Sequence, residues 1–268
     1  MKLVPTALGP LAVREVGQGP PLLLWHSLLC DGSMWAAQEE DLSRDHRVLV
    51  VDGPGHGASP RPPRAFGLDD CTRAALEVLD ACGVPRAAWV GLSWGGMVAM
   101  RAALSAPERV SALALIDTSA DAEPLRRRLR YRAMAAIYRR WGLVRWLEPA
   151  VLAAMLGHTT RRERPELGRA LLGRLRGWDR AGVARAVDAV VIRREGIRAR
   201  LGAIRAPTLV VVGEEDRATG VRAAERIAAG IPGARLITIP RAGHLTALEA
   251  PAAVSAHLRA FLGETAGR

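Results

Sequence analysis

Short apolar runs alternate with longer stretches of helical pattern along most of the chain. Several runs, among them residues 22–25 and 208–212, are apolar at nearly every position, which is typical of strands covered on both faces of a sheet. This alternation predicts parallel strands joined by helical crossovers, and therefore an α/β protein whose mostly parallel central sheet is flanked by helices. The predicted strands are residues 11–16, 22–25, 47–51, 88–91, 112–116, 208–212 and 235–239, and the predicted helices between them include residues 69–82, 94–105, 221–229 and 251–262.

The alternation breaks once, between residues 120 and 206. This stretch has helical sequence rich in arginine, leucine and alanine, interrupted by Pro149, Pro165 and Gly182, and contains no convincing strand pattern. A helical insertion between two core strands would cover the strand ends, where open α/β sheets place their ligands. We therefore predict an α/β core at residues 1–119 and 207–268, with a helical cap inserted at residues 120–206.

Composition narrows the class of protein. No apolar run approaches the roughly 18 to 20 residues that a membrane-spanning helix needs, so no membrane partner is predicted. The N-terminus lacks a charged leader followed by a long apolar core, and a cytoplasmic location is therefore expected. The three cysteines, Cys30, Cys71 and Cys82, form no CxxC pair. This spacing predicts free thiols rather than a disulfide framework or a zinc site.

The charge balance raises the hypothesis of a nucleic-acid partner. The chain has 38 basic and 27 acidic residues, a net charge of +11. However, Lys2 is the only lysine, and an excess made of arginine in a chain rich in alanine is also typical of GC-rich codon usage. We therefore predict no nucleic-acid partner.

A candidate nucleophile lies in the sequence Gly91-Leu92-Ser93-Trp94-Gly95. The motif G-x-S-x-G follows an apolar strand and opens a helical pattern, which is the context that it requires. Glycines on both sides allow a strained turn between strand and helix, and the start of the helix favours developing negative charge. The pattern predicts Ser93 as a nucleophile.

A serine nucleophile needs a base within hydrogen-bonding reach and a third group that fixes the tautomer of that base. His244 follows the strand at 235–239, and Asp216 follows the strand at 208–212. The order Ser, Asp, His predicts that these residues meet at one edge of the sheet as a catalytic triad. Glu214, Glu215 and Asp117 remain alternatives for the acid.

Two backbone N–H groups are expected to bind the oxyanion formed during attack. The residue after the nucleophile, Trp94, offers one, and the loop His26-Ser27-Leu28-Leu29 offers a second, for which Leu28 is the candidate. Another histidine, His56, lies in a glycine-dense turn and is expected to be structural.

With these residues in place, the chain resembles the α/β-hydrolase superfamily from residue 22 to residue 262. Its motifs look like those of 3-oxoadipate enol-lactonases at His26-Ser27-Leu28, Asp31, Met34-Trp35, Gly91 to Met97, Pro107-Glu108-Arg109-Val110 and Ala242-Gly243-His244-Leu245.

The resemblance implies a carboxylic ester hydrolase, an esterase or lactonase that forms an acyl-enzyme on Ser93 and needs no metal or organic cofactor. Its partner would be a small-molecule ester or lactone. A substrate like an oxoadipate lactone carries a carboxylate, for which Arg193 and Arg194 are candidates. His26 and Ser27 are further candidate substrate contacts.

Other functions are compatible with the same residues, because one fold supports several chemistries. Hydrolysis of carbon–carbon bonds and perhydrolysis both use such a triad. A non-catalytic, hydrolase-like binding protein is a third alternative, although an intact triad argues against it.

Overall fold

One eight-stranded sheet forms the centre of the protein in the computed structural model, which describes residues 1–265. The strands are β1 (Lys2–Val4), β2 (Leu11–Val16), β3 (Pro21–Trp25), β4 (Arg47–Val51), β5 (Ala87–Leu92), β6 (Val110–Ile116), β7 (Thr208–Gly213) and β8 (Arg235–Ile239). Their spatial order is β1-β2-β4-β3-β5-β6-β7-β8. Strands β3 to β8 are parallel, and β1 and β2 join one edge in antiparallel pairing. The predicted α/β fold with a mostly parallel sheet is confirmed.

Helices connect the strands and pack on the sheet. The α-helices are α1 (Ala36–Leu42), α2 (Leu68–Ala81), α3 (Trp94–Ser105), α4 (Leu125–Trp141), α5 (Glu148–Met155), α6 (His158–Glu163), α7 (Pro165–Gly177), α8 (Arg180–Val187), α9 (Val221–Gly230), α10 (Thr246–Glu249) and α11 (Pro251–Thr265). Short 3-10 helices lie at Gly32–Trp35, Pro107–Arg109, Arg145–Leu147 and Arg198–Ala203, and a π-helical turn lies at Asp188–Ile192.

Two hydrophobic clusters cover the two faces of the sheet. Along β3, Leu23 and Trp25 belong to one cluster, and Leu22 and Leu24 belong to the other. This division follows from the strand itself, because successive side chains point to opposite faces. Both faces of the central strands are therefore buried, as their apolar sequences predict. Each fully buried Leu or Val side chain contributes about 1.5–3 kcal/mol to folding.

The segment between β6 and β7, residues 120–206, is helical and contains α4 to α8. We call it the cap. Its residues Leu147, Val151 and Met155 belong to the same cluster as the core residues Leu22 and Leu24, so the apolar interior continues from the sheet into the cap. The hydroxyl of Tyr138 in α4 donates to the carbonyl of Leu175 in α7 at 2.6 Å, which ties two cap helices together.

Sequence patterning missed short elements at the edges. Strand β1 has only three residues and two of them are exposed, so its apolar pattern is too brief to predict a strand. The three cysteines are buried and unpaired, which confirms the prediction of free thiols. No helix within residues 1–265 is long and apolar enough to cross a membrane.

Helix α3 begins in direct contact with β3. A Cβ atom added at Gly95 would lie 2.1 Å from the carbonyl oxygen of Trp25, a distance that real atoms do not tolerate. Both residues lie in the buried centre of the protein. The close approach therefore requires glycine at position 95.

We expect Gly95→Ala to destabilise the protein by about 1–3 kcal/mol or more, because overpacking forces the helix away from the strand. Gly173→Ala in α7 is the matched control, since an added Cβ there meets nothing within 4 Å. Alanine in a helix interior is favoured over glycine by roughly 0.5–1 kcal/mol, so this variant should be as stable as the wild type or more so. Urea denaturation measures both, and equal stability of the two variants would contradict the proposed packing.

Candidate active site

Ser93 stands on a strained turn between β5 and α3. Its backbone has φ 53° and ψ −103°, in a region that non-glycine residues rarely occupy. Hydrogen bonds hold the turn: the amide of Ser93 donates to the carbonyl of Ile116 at 2.8 Å, and the hydroxyl of Thr118 donates to the carbonyl of Ser93 at 2.7 Å. A Cβ at Gly91 would lie 2.1 Å from the carbonyl carbon of Gly95, so position 91 requires glycine, as position 95 does through its contact with Trp25.

His244 and Asp216 form a buried pair at the ends of β8 and β7. Nδ1 of His244 lies 3.0 Å from Oδ1 of Asp216. The same carboxylate accepts hydrogen bonds from the amides of Ala218 and Gly220 at 2.8 and 3.0 Å, and from the hydroxyl of Thr219 at 2.5 Å. Burial by itself would raise the pKa of Asp216, but the adjacent His244 and these hydrogen bonds lower it below its usual range. Asp216 is therefore held in its ionised form.

The carboxylates around His244 also set its protonation. Burial lowers the pKa of this histidine, but the charge and hydrogen bond of Asp216 outweigh burial and raise the pKa above its ordinary value. Asp117 and Glu249 add to this effect. When Nδ1–H donates to Asp216, Nε2 of the neutral ring is left as an acceptor. His244 and Ser93 line the same cavity.

The alternative acids have other partners. Asp117, which is fully buried, accepts from the amides of Gly213 at 2.9 Å and Thr246 at 3.1 Å. Burial and the nearby charge of Asp216 raise the pKa of Asp117 well above its usual range. Glu214 is exposed, and Glu215 accepts from the amide and hydroxyl of Thr159 in the cap. Among these carboxylates, only Asp216 bonds to His244 within the described residues.

Glu249 was not singled out by sequence reasoning, although it contacts the loop of His244. Its Oε1 accepts from the amide of Leu245 at 3.0 Å, and its Oε2 accepts from the amide of Gly157 in the cap at 2.8 Å. A Cβ added at Gly243 would lie 2.1 Å from the nitrogen of Gly157, so the cap backbone lies directly against the histidine loop. The donors to Glu249 are backbone amides, for which the sequence carries no side-chain signal.

Of the two predicted oxyanion donors, Trp94 directly follows the nucleophile and Leu28 lines the same cavity as Ser93. Trp94 is the first residue of α3, and N–H groups in the first turn of a helix have no intrahelical acceptor. Leu28 lines the cavity, and no protein acceptor for its amide is found within residues 1–265. Both amides are therefore free to donate.

His26 and Ser27 differ in their relation to the cavity. His26 is buried behind the wall: Nδ1 donates to the carbonyl of Ser27 at 2.7 Å, and Nε2 accepts from the amide of Gly53 at 2.7 Å. His26 does not line the cavity. Both of its ring nitrogens are hydrogen-bonded to backbone groups and are not available to a substrate. Ser27 does line the cavity, and its buried hydroxyl has no partner among the described residues.

His56 bonds to the carbonyl of Pro54, and burial lowers its pKa to about 3, in keeping with a structural role.

The cavity above Ser93 has a volume of about 140 Å³ and is mostly apolar. The cap supplies most of its wall, and charged groups are confined to Glu123, Arg127 and Arg194 within the described lining. The apolar cap residues in the wall include Met134, Tyr138, Leu147, Val151, Met155 and Leu175.

The two candidate substrate arginines have opposite orientations. Arg193 bonds to Asp188 and to the carbonyl of Phe66 at the surface, and it does not line the cavity. Arg194 lines the cavity, where its guanidinium lies 2.8 Å from Glu123. Arg127 lies 2.8 Å from the other oxygen of Glu123. Two arginines thus share one carboxylate, which leaves one net positive charge at this end of the cavity.

Comparisons with known proteins agree with this architecture. A model of the alpha/beta hydrolase fold family matches residues 20–251, and the chain belongs to that family. The pimeloyl-[acyl-carrier protein] methyl ester esterase of Nitrosomonas europaea is 28% identical over 266 residues, covering 91% of this chain and 96% of the relative. The relative covers nearly the whole chain, so the similarity extends through both the core and the cap.

Two solved structures extend the similarity. A thermophilic esterase from Thermogutta terrifontis superposes with a TM-score of 0.91 at 30% identity, covering 99% of this chain and 98% of the other. The enol-lactonase from Burkholderia xenovorans LB400 superposes with a TM-score of 0.87 at 28% identity, covering 95% of this chain and 96% of the other. The resemblance inferred from the motifs is confirmed at the level of the family.

The pKa of His244 provides a test of the pair that does not depend on substrate. We expect NMR titration to place it above about 6.5, the ordinary value for histidine. Asp216→Asn should lower it strongly, because the dominant favourable charge and hydrogen bond are lost while burial remains. Asp117→Asn should lower it less, since that carboxylate acts only from a distance. An equal or larger decrease in Asp117→Asn would show that the acid is misassigned.

Proposed function

We propose that the protein is a serine hydrolase of carboxylic esters or lactones, with Ser93 as nucleophile, His244 as general base and Asp216 as the acid that orients it. The observation that carries the proposal is the buried Asp216–His244 hydrogen bond of 3.0 Å beside a cavity that His244 shares with the strained Ser93. A neutral imidazole fixed in this tautomer is the base that a serine hydroxyl requires.

The reaction proceeds in two steps. Nε2 of His244 takes the proton of Ser93 as Oγ attacks the carbonyl carbon, and the amides of Leu28 and Trp94 donate to the resulting oxyanion. Collapse breaks the bond to the leaving oxygen, which receives the proton from His244, and leaves an acyl-enzyme. Water, deprotonated by the same histidine, then releases the acid and regenerates Ser93. None of these steps requires a metal or an organic cofactor.

The cavity favours a substrate with an apolar portion, because the cap wall consists mainly of aliphatic and aromatic side chains. The end of the cavity lined by Glu123, Arg127 and Arg194, which we call the charged end, can accommodate a more polar group of the substrate. If that group is a carboxylate, as in an oxoadipate-like lactone, it would meet Arg127 and Arg194, with Glu123 opposing it. The similarity to the Burkholderia enol-lactonase and the apolar wall together support ester and lactone hydrolysis by this chain.

The role of Ser93 is tested with a fluorophosphonate probe and a series of p-nitrophenyl esters. We expect stoichiometric labelling of the wild type, loss of labelling in Ser93→Ala, and a decrease in kcat of several orders of magnitude in His244→Ala. Asp216→Asn should lower kcat by about 10⁴-fold, since the imidazole loses its oriented tautomer. Arg193→Ala, which does not line the cavity and keeps the triad, is the control. Labelling that persists in Ser93→Ala would overturn the proposal.

Substrate charge is tested with a neutral lactone and its carboxylate-bearing analogue. We expect Arg194→Ala to lower the kcat/KM ratio of acid to neutral substrate by about tenfold, because a charged hydrogen bond is lost and Glu123 remains. Glu123→Gln should raise the ratio, since it frees both arginines. The neighbouring Arg193→Ala is the control and should leave the ratio unchanged. A ratio insensitive to both Arg194→Ala and Glu123→Gln would show that the charged end does not contact substrate.

A further inference from the structure

The positive charge of the protein is concentrated in the cap. Residues 120–206 contain 21 arginines and 8 acidic residues, whereas the rest of the chain has 17 basic and 19 acidic residues. The cap therefore carries a net charge of +13 and the core −2. Codon usage acts on the whole gene, so it does not account for this division. A charge asymmetry of this size points to an anionic partner that meets the cap.

Helix α4 presents two different faces. Its sequence holds seven arginines and no acidic residue. One side, with Arg127, Tyr131, Met134 and Tyr138, lines the cavity above Ser93. The other side faces solvent, and within the described residues the only ion pair made by an α4 arginine joins Arg127 to Glu123. The arginines of the solvent side are thus not neutralised by the protein.

Large apolar side chains accompany the arginines on the solvent side. Leu125 and Leu129, one helical turn apart, are 68% and 55% exposed, and Trp141 is 61% exposed. Arg126 and Arg130 are four residues apart, and Trp141 lies about three helical turns after Arg130, so these side chains lie along one stripe of the helix. We call this surface the outer face; it comprises Leu125, Arg126, Leu129, Arg130, Arg140 and Trp141. Trp146, in the next 3-10 helix, is 67% exposed.

We propose that the outer face binds peripherally to an anionic lipid bilayer. A bilayer interface accommodates arginine beside its headgroup phosphates, while tryptophan and leucine enter the boundary with the acyl chains. Such binding needs no spanning segment, so the absence of a membrane-spanning sequence pattern does not argue against it. A nucleic acid would be attracted by the same charge, but its phosphate backbone would not bury the exposed side chains of Leu125 and Leu129.

The proposal goes beyond hydrolysis and is tested by binding alone. The full-length protein is mixed with vesicles of phosphatidylcholine, with or without phosphatidylglycerol, and bound protein is measured by cosedimentation and by the blue shift of tryptophan fluorescence. We expect binding to phosphatidylglycerol-containing vesicles, weakened by salt, and little binding to phosphatidylcholine alone.

Three variants separate the contributions. Arg126→Glu/Arg130→Glu should lower vesicle affinity by about tenfold or more, because each basic residue near an anionic surface adds to binding. Arg86→Glu/Arg222→Glu makes the same charge change on exposed positions of the core and should have little effect. Trp141→Ala keeps the charge and should reduce both affinity and the blue shift. All three variants should hydrolyse a soluble ester at the wild-type rate, since none of the substituted residues lines the cavity.

Two outcomes would overturn the proposal. One is equal loss of binding in the cap and core charge variants, which would indicate attraction to net charge alone. The other is binding of duplex DNA as tight as binding to the vesicles, with Trp141→Ala unchanged on both, which would identify a general polyanion surface.

Discussion

Three consecutive residues after β8 are each held by a buried carboxylate. Nδ1 of His244 bonds to Asp216, the amide of Leu245 to Glu249, and the amide of Thr246 to Asp117. These carboxylates come from three separate segments: Asp216 follows β7, Glu249 ends α10, and Asp117 follows β6. The position of the histidine is consequently fixed from several directions. The arrangement of the candidate site depends on this short segment more than on any single contact.

Holding the segment in this way requires acidic groups in a region with little water. An isolated buried carboxylate is costly, and the cost falls only when hydrogen bonds or charges compensate it. Asp216 is compensated by His244 and several donors, and Glu123 by two arginines. Within residues 1–265, Asp117 accepts from two amides, and burial together with the nearby charge of Asp216 accounts for its raised pKa. Against the effect of burial, Asp216 first and then Asp117 and Glu249 raise the pKa of His244.

The sequence predicted most of the sheet and the residues that meet at its edge, because strand patterning and motif position are local signals. Strands β2, β4 and β8 and helix α3 have the predicted bounds. It did not predict the functions of Glu249 and Asp117, since their partners are backbone amides brought close only by folding. It also did not distinguish Arg193 from Arg194. The π-helical turn at Asp188–Ile192 changes the helical phase just before them, so regular spacing does not indicate which side chain faces the cavity.

The contact between Gly157 and Gly243 has a consequence for how such enzymes diversify. Exchange of one cap for another is an obvious route to new specificity, both in evolution and in the laboratory. Here the cap backbone meets the histidine loop without room for a Cβ on Gly243. A transplanted cap would therefore need a main chain of the same path at this point, whatever side chains it brought to the pocket.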